Sequence, residues 1–446
     1  MAAIAPTLSG WAAKTGDNPL SPTPDSPMRH FASALLCCAA TAITSANAAA
    51  QAPRVVFVRG ASGTGGFLEG GADEQLSDIS DFSTSGGNHG YGELATLLTA
   101  EGYAVEQVIE STVGAPVDFA ALDLSTVSVL VMGSNNQTYS AADVALVTDF
   151  VSAGGGLLVI SDANWGFDWG AAPSSDQPFL DPYGLVMNQD TGTYLSSDSQ
   201  GDHPVPIDPI LSGPDLAFSA ADDVLSFDGE GVSPLTVAAT PADVTVQILA
   251  RAEGNIHVND STGSGSFRSS NDQDAALVVA YRGAGVVVGH FDRNTFFNEN
   301  GAGTDINRFD NAQYARNLFA ALSGPKSRPY GEAKVNSQGG EARTVAAGTE
   351  TLVTLSTYGA LPGVASYFAV GSETASTPFA GGTLLIGGNL FRLTLGLTGP
   401  DGVRSDTLSL MPSTVAFTQT FQFLYRDTAD PTGFGLASAV ETQFVP

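Results

Sequence analysis

The chain has 446 residues, with 46 acidic side chains against 17 lysines and arginines and a formal net charge of −29 at pH 7. This surplus argues against nucleic acid and anionic membranes as partners, because both present phosphate groups that the chain would repel. The length is sufficient for two or three hydrophobic cores. No stretch after residue 50 reaches eighteen consecutive apolar residues, so we expect no transmembrane segment in that part of the chain.

The first fifty residues have the pattern of an export signal. Met28, Arg29 and His30 form a short basic start, an apolar run follows, and Ala46-Asn47-Ala48 is a small-x-small cleavage site. We predict a signal peptide at 28–48, cleavage after Ala48, and a secreted or periplasmic product. Residues 1–27 would precede this signal and are interpreted as a non-native upstream extension.

Both cysteines, Cys37 and Cys38, lie inside the predicted signal peptide. The mature chain would therefore have no thiol, no disulfide and no cysteine metal ligand, and its cores alone would stabilise it.

The next 270 residues alternate between strand and helix patterns. Apolar runs that end in glycine or polar residues predict strands buried on both faces, and spaced apolar residues predict helices between them. Ser140 with Asp143 is a helix-start signal. In chain order, the predicted elements are strand 54–59, helix 90–101, strand 103–109, strand 127–132, a helix from Ser140 and strand 157–160. This order predicts a doubly wound α/β sheet.

The stretch VLVMGSNNQTYSAADVALVTDFVSAGGGLLVISDANWG, residues 129–166, resembles the central strand-helix-strand unit of class I glutamine amidotransferase-like and ThuA-like (DUF4350-like) domains. Gly201-Asp202-His203-Pro204-Val205 and the hairpin and helix of residues 283–322 are similar to later parts of the same family. The resemblance implies a flavodoxin-like, amidotransferase-like α/β domain over 52–324. In catalytic amidotransferases a cysteine follows the fourth strand, whereas this chain has Ser161-Asp162-Ala163-Asn164. We therefore exclude glutamine amidotransferase activity.

Open α/β sheets bind ligands at the carboxyl ends of their strands, so the polar residues there are the site candidates. His290 would act as a base or metal ligand, with Asp162 or Asp292 orienting it or holding a cation. Asn135, Arg293 and Asn294 are predicted to contact ligand. The alternative is that His290 and Asp292 are paired groups that tie the loop 295–310 to the sheet.

Aromatic residues follow the fourth predicted strand in the run WGFDW. Trp165 and Trp169, beside Asn164, would offer a sugar apolar faces and hydrogen-bond partners. The alternative is that they plug the end of the sheet.

We predict no cofactor, with calcium as the metal alternative. The loop 294–311 is rich in Asn, Asp and Gly and could supply oxygen ligands to calcium, but it lacks the fixed spacing of a helix-loop-helix calcium site. Capping of the last helix by Asp310 or Asn311 is the competing explanation.

Residues 170–275 give no chemical signal, and 325–344 have linker composition. Residues 345–446 show short apolar runs with turns between them, and Phe417 to Tyr425 alternate aromatic with mostly polar side chains, which predicts an all-β sandwich. With Leu361-Pro362-Gly363 and the Gln422, Asp427 and Ser438 spacing, this part resembles C-terminal β modules of exported bacterial proteins.

Three hypotheses follow. The first is an exported, non-catalytic binding or scaffold protein whose ligand is a glycan or a cell-envelope component. The second is a secreted hydrolase, metal-assisted in one version, using Asp162, His290 and Asp292. The third is a purely structural envelope protein.

Overall fold

The computed structural model describes residues 52–60, 77–110, 115–135, 137–161, 176–187, 194–195, 205–206, 224, 226–230, 232–258, 266–324, 326–348, 352–410 and 417–444. The predicted signal peptide at 28–48 lies outside these residues. No helix among the described residues is long and apolar enough to cross a bilayer.

The first part of the described chain is an α/β region. Its helices are α1 (Gly92–Ala100), α2 (Ala141–Ser152), the one-turn α3 (Gln177–Leu180) and α4 (Asn311–Ser323). Its strands are β1 (Arg54–Arg59), β2 (Ala104–Ile109), β3 (Val129–Ser134), β4 (Gly156–Ile160), β5 (Leu185–Met187), β6 (Tyr194–Leu195), β7 (Val205–Pro206), β8 (Ser226–Phe227), β9 (Leu235–Val237), β10 (Val244–Arg251), β11 (Asn255–Val258), β12 (Ser266–Ser269), β13 (Asp274–Arg282) and β14 (Gly285–His290).

The main sheet is mixed. Its order is β2-β1-β3-β4-β14-β13-β9-β5, with β10 also paired to β13. The first five strands are parallel, and β13, β9, β5 and β10 extend the sheet in antiparallel pairs. An α/β region is therefore confirmed, and its parallel half is the part that the sequence pattern predicted.

Helices cover both faces of the parallel half. A Cβ on Gly156 would meet the backbone oxygen of Leu322 in α4, and a Cβ on Gly285 would meet that of Val151 in α2. Gly156 pairs with Val286, the neighbour of Gly285, so these two glycines point to opposite faces. This two-sided cover explains why β1, β4 and β14 are almost continuously apolar and buried.

The predicted helix-start signal of α2 is confirmed. The Ser140 side chain accepts a hydrogen bond from the backbone of Asp143, whose carboxylate accepts one from the backbone of Ser140. At α4 the structure differs from the prediction, because Asp310 makes no side-chain cap. The Asn311 side chain instead accepts from Asp228 N at 2.7 Å and donates to Asp305 O at 2.8 Å.

The second part is β-rich. Its strands are β15 (Lys326–Tyr330), β16 (Arg343–Gly348), β17 (Leu352–Tyr358), β18 (Ala365–Gly371), β19 (Glu373–Phe379), β20 (Gly382–Gly387), β21 (Phe391–Arg392), β22 (Gly396–Leu397), β23 (Arg404–Ser409), β24 (Phe417–Arg426) and β25 (Phe434–Phe444). One sheet has the order β15-β25-β24-β18-β21 with β22 beside β18, and a second has the order β16-β17-β23. A shared core that includes Leu355, Phe368 and Phe423 lies between them.

The segment 325–344 is not only a connection. Lys326–Tyr330 forms β15 and pairs with β25 at the edge of the larger sheet. Its Pro329 is compatible with an edge strand, where one side of the backbone needs no hydrogen-bond donor. Composition indicated a linker here because Gly, Pro and polar residues dominate locally, whereas pairing with β25 depends on a segment more than a hundred residues away.

The polar face of β24 is also covered. Thr420 and Gln422 are fully buried, and the β19–β20 hairpin packs on this face through Leu384 and Ile386. Gln422 donates to Thr383 O at 3.1 Å and accepts from Leu385 N at 2.9 Å. Both faces of β24 are therefore buried. The aromatic face packs into the core between the two sheets, and the polar face forms hydrogen bonds with the β19–β20 hairpin.

Candidate functional site

The parallel strands bring several polar residues to one edge of the main sheet. In the sheet, β1 lies between β2 and β3. The chain runs outward from β1 to β2 and then returns to β3 on the other side of β1, so the strand order reverses at the β1/β3 boundary. Ligands bind open α/β sheets at such points, outside the carboxyl ends. Arg59, Asn135, Ser161 and His290 lie at the ends of β1, β3, β4 and β14, and all four are buried.

His290 ends β14 with its side chain fully buried. Its Nε2 lies 3.0 Å from Thr295 Oγ1, and its Nδ1 lies 3.0 Å from the Tyr314 hydroxyl in α4. The rings of Phe227 and Phe296 pack against the imidazole at 5.3 and 5.1 Å between centroids. Burial lowers the pKa of His290 to about 3, so the ring is neutral at physiological pH.

These contacts determine the tautomer of His290. Thr295 Oγ1 donates its single hydrogen to Asp228 O at 2.7 Å, so it can only accept from the histidine. Nε2 of His290 therefore carries the hydrogen and donates to Thr295. Nδ1 carries none and accepts from the Tyr314 hydroxyl. Both nitrogens are used inside the protein, and the ring joins β14 to the loop after it and to α4.

Asp292 is fully buried two residues further along. Its Oδ2 accepts from Glu230 N at 2.6 Å, and its Oδ1 accepts from Asn294 N at 3.1 Å. Asn294, half-buried, donates through Nδ2 to Glu230 O and Ala302 O at 3.1 and 2.7 Å. Asp292 and Asn294 thus connect the loop after β14 to the segment around Glu230.

Arg293 turns back toward the centre of the sheet. Only 1% of its surface is exposed, and its Nη1 donates to Gly133 O in β3 at 2.9 Å. Its own carbonyl accepts from the Tyr91 hydroxyl at 3.0 Å. Gly133 has φ +146°, and a Cβ there would lie 2.6 Å from Ile160 Cβ. A buried guanidinium therefore lies near the carboxyl end of β3, where it places a positive charge.

The remaining predicted residues divide into two groups. Asn135 is fully buried immediately after β3. Asp162, Asn164, Trp165 and Trp169 lie outside the described residues. Convergence of Asp162 with His290 is therefore untested, and the catalytic and ligand-binding assignments remain predictions.

Sequence reasoning missed a buried ion pair at the end of β1. Arg59 Nη2 donates to Asp78 Oδ2 at 2.8 Å, with both side chains almost fully buried. Burial tends to raise the pKa of Asp78, but hydrogen bonds from Ser80 and the charge of Arg59 outweigh this effect and lower it. Gln107 Nε2 also donates to Asp78 Oδ1 at 3.1 Å. No local motif links these residues, so the pair leaves no pattern in the sequence.

A second missed group lies at the end of β2. Glu110 is 2% exposed, and its Oε1 accepts from the Tyr139 hydroxyl at 2.8 Å and from Gln137 N at 3.2 Å. Burial raises the pKa of Tyr139, and the Glu110 charge raises it further. The only sequence signal was the position of a carboxylate directly after a strand.

The described residues contain no group of three or more His, Cys, Asp or Glu side chains that could hold a metal ion. In the loop 294–311, the Asp305 carboxylate accepts from Asn300 N and Asn307 N at 3.1 and 2.9 Å. The loop carboxylate thus bonds to the loop backbone.

No protein-family model and no curated protein matches the chain. Among solved structures, it is similar to the mmIFT52 N-terminal domain, with 13% identity, a TM-score of 0.38, and coverage of 61% of this chain and 98% of that one. It is also similar to a putative ThuA-like protein from Parabacteroides merdae, with 14% identity, a TM-score of 0.33, and coverage of 61% and 90%. A putative ThuA-like protein from Bacteroides uniformis gives 13% identity, a TM-score of 0.30, and coverage of 62% and 94%. These similarities concern the coarse fold alone.

Proposed function

We propose that this protein is a non-catalytic binding or scaffold protein that acts outside the cytoplasm, with a carbohydrate as ligand at the carboxyl ends of the parallel strands. One observation carries the non-catalytic part. The imidazole of His290 is fully buried and uses both ring nitrogens inside the protein. A general base needs a nitrogen within reach of substrate, and this ring offers none in the described geometry.

The neighbouring carboxylate supports the same proposal. Asp292 accepts hydrogen bonds from two backbone N–H groups, and its side chain is fully buried. A carboxylate in this setting fixes a loop. The loop after β14 is thereby held firmly against the edge at which a ligand would bind, as a rigid recognition surface requires.

The carbohydrate part rests on residue chemistry. Trp165 and Trp169 follow β4 in the sequence, together with Asn164. Tryptophan faces and amide groups are the usual partners of sugar rings and hydroxyls, and a net charge of −29 favours a neutral ligand over an anionic one. The export part rests on the signal pattern at 28–48.

The test is a glycan panel measured by array and then by calorimetry. We expect a neutral glycan to bind, and Trp165→Ala and Trp169→Ala each to weaken binding by about 1 kcal/mol, roughly fivefold. Phe391→Ala is the matched control, because Phe391 is a 58% exposed aromatic in the β-rich part and should leave binding unchanged. Absence of binding across the panel would refute the carbohydrate proposal.

The same panel distinguishes binding from hydrolysis. We expect the glycans to be recovered intact after long incubation. Release of cleaved products by the wild type, abolished by Asp162→Asn in a protein of unchanged stability, would contradict the non-catalytic proposal and support the hydrolase. Export is tested separately, since N-terminal sequencing of the processed protein should begin at Ala49.

A further inference from the structure

The loop 299–303, here called the Asn300 loop, is hydrogen-bonded to the segment 85–88. Asn300 O accepts from Gly87 N at 2.9 Å, and Ala302 N donates to Asn88 O at 2.8 Å. The Asn88 side chain adds a bond to Glu299 O at 2.9 Å. Residues 85–88 and 299–302 are therefore joined along their backbones.

The fold places strict demands on two adjacent positions of this loop. Asn300 has φ +62°, the left-handed region in which asparagine is among the best tolerated residues other than glycine. A Cβ on Gly301 would lie 2.5 Å from Phe297 Cβ and 2.9 Å from Thr304 O, so position 301 requires glycine. Together these demands produce the sole Asn-Gly step in the sequence.

We infer that Asn300-Gly301 is a site of spontaneous deamidation, and that the reaction loosens the Asn300 loop from residues 85–88. The backbone nitrogen of Gly301 attacks Cγ of Asn300 and gives its proton to water. The Cγ–Nδ2 bond breaks, ammonia leaves, and a five-membered succinimide forms. Water then opens either carbonyl of the ring and yields aspartate or isoaspartate, so the net change is one water consumed and one ammonia released.

The local contacts leave the reacting groups accessible. Asn300 is exposed, and among the described residues its Nδ2 donates only to Thr84 O, at 3.3 Å. Gly301 N donates to no described residue within hydrogen-bond distance. Because Gly301 has no side chain, nothing at its own Cα hinders the approach of its nitrogen to Cγ.

The product disturbs the loop in two ways. Isoaspartate adds a methylene to the main chain, which shifts the Asn300 carbonyl away from Gly87 N. Either product also adds a carboxylate beside Asp305, whose Oδ2 accepts from Asn300 N at 3.1 Å, and beside Glu299. Like charges at such separations repel each other.

A single tryptic peptide, residues 294–308, tests the inference with internal controls. It contains Asn294, Asn298, Asn300 and Asn307, and Asn307 is also exposed but precedes Arg308. After incubation of the full-length protein at mildly alkaline pH, fragmentation mass spectrometry should find Asn300 converted roughly tenfold faster than Asn307, because arginine hinders the attack that glycine allows. Equal rates at the two positions would overturn the assignment.

The structural consequence has its own measurement. Hydrogen exchange at Gly87 N and Ala302 N should accelerate several-fold in aged wild-type protein. Asn300→Gly preserves the left-handed backbone and cannot deamidate, so its exchange should not change with age. Isoaspartate at position 300 without faster exchange at Gly87 N would refute the proposed loosening.

Discussion

Replacement of His290 by leucine tests whether this histidine is structural. The change removes two hydrogen bonds, to Thr295 Oγ1 and to the Tyr314 hydroxyl, at similar side-chain volume. Thr295 keeps its bond to Asp228 O. The Tyr314 hydroxyl loses its acceptor in a fully buried position, which costs about 1–3 kcal/mol. We expect His290→Leu to lower the free energy of unfolding by that amount.

A double-mutant cycle separates the specific contact from general disruption. Tyr314→Phe leaves Nδ1 of His290 without a donor and should also cost about 1–3 kcal/mol. When both partners are replaced, no buried polar group of the pair remains unsatisfied. The double variant should therefore be more stable than the sum of the single effects predicts, by about 1 kcal/mol or more.

The assay is urea unfolding monitored by circular dichroism and tryptophan fluorescence. Tyr330→Phe is the control partner, because Tyr330 donates to Leu385 O in the β-rich part and should combine additively with His290→Leu. Additive behaviour of the His290 and Tyr314 variants, or a neutral effect of His290→Leu, would refute the stabilising contact between His290 and Tyr314 and the structural role of His290.

Three further predictions test other features. The pKa of His290 is about 3 in the folded protein against an ordinary 6.5, so the unfolded chain takes up the proton first as pH falls. The stability that this group contributes is therefore complete above pH 6.5 and is lost between pH 6.5 and about 3. In unfolding measured against pH, the stability difference between wild type and His290→Leu should shrink across that window. Gly133→Ala should lower the free energy of unfolding in urea by about 3 kcal/mol or more, because the new Cβ meets Ile160. Gly339→Ala, at φ +85° with open space around it, should lower it by only about 1–2 kcal/mol. Equal losses would contradict the packing argument. Lys334→Met removes the ammonium that donates to Asp430, Thr432, Ala380 and Phe434. The hydrogen bond from Lys334 is the largest cause that lowers the pKa of Asp430 to about 2, so this pKa should rise in an NMR titration of the variant. An unchanged pKa would contradict this assignment.

Local patterns were sufficient where one segment determines its own structure. The apolar runs of β1, β4 and β14 and the Ser140–Asp143 cap of α2 were predicted within one or two residues of the observed bounds. Buried strands and capped helices follow from neighbouring residues in the chain, which is why they can be predicted without knowledge of the rest. The position of His290 at the carboxyl end of a buried strand was predicted for the same reason.

The environment of each polar residue depended on the tertiary structure. His290 meets Tyr314 because α4 packs behind β14, and Arg59 meets Asp78 across nineteen residues of sequence. Composition indicated a linker where β15 pairs with β25. The alternation in β24 indicated a mostly polar face, and the β19–β20 hairpin buries Gln422 on that face. Charge, cysteine placement and the principal strands follow directly from the order of the amino acids. Only the three-dimensional arrangement decided which polar groups are paired and buried, because hydrogen bonds and desolvation depend on partners that are distant in the chain.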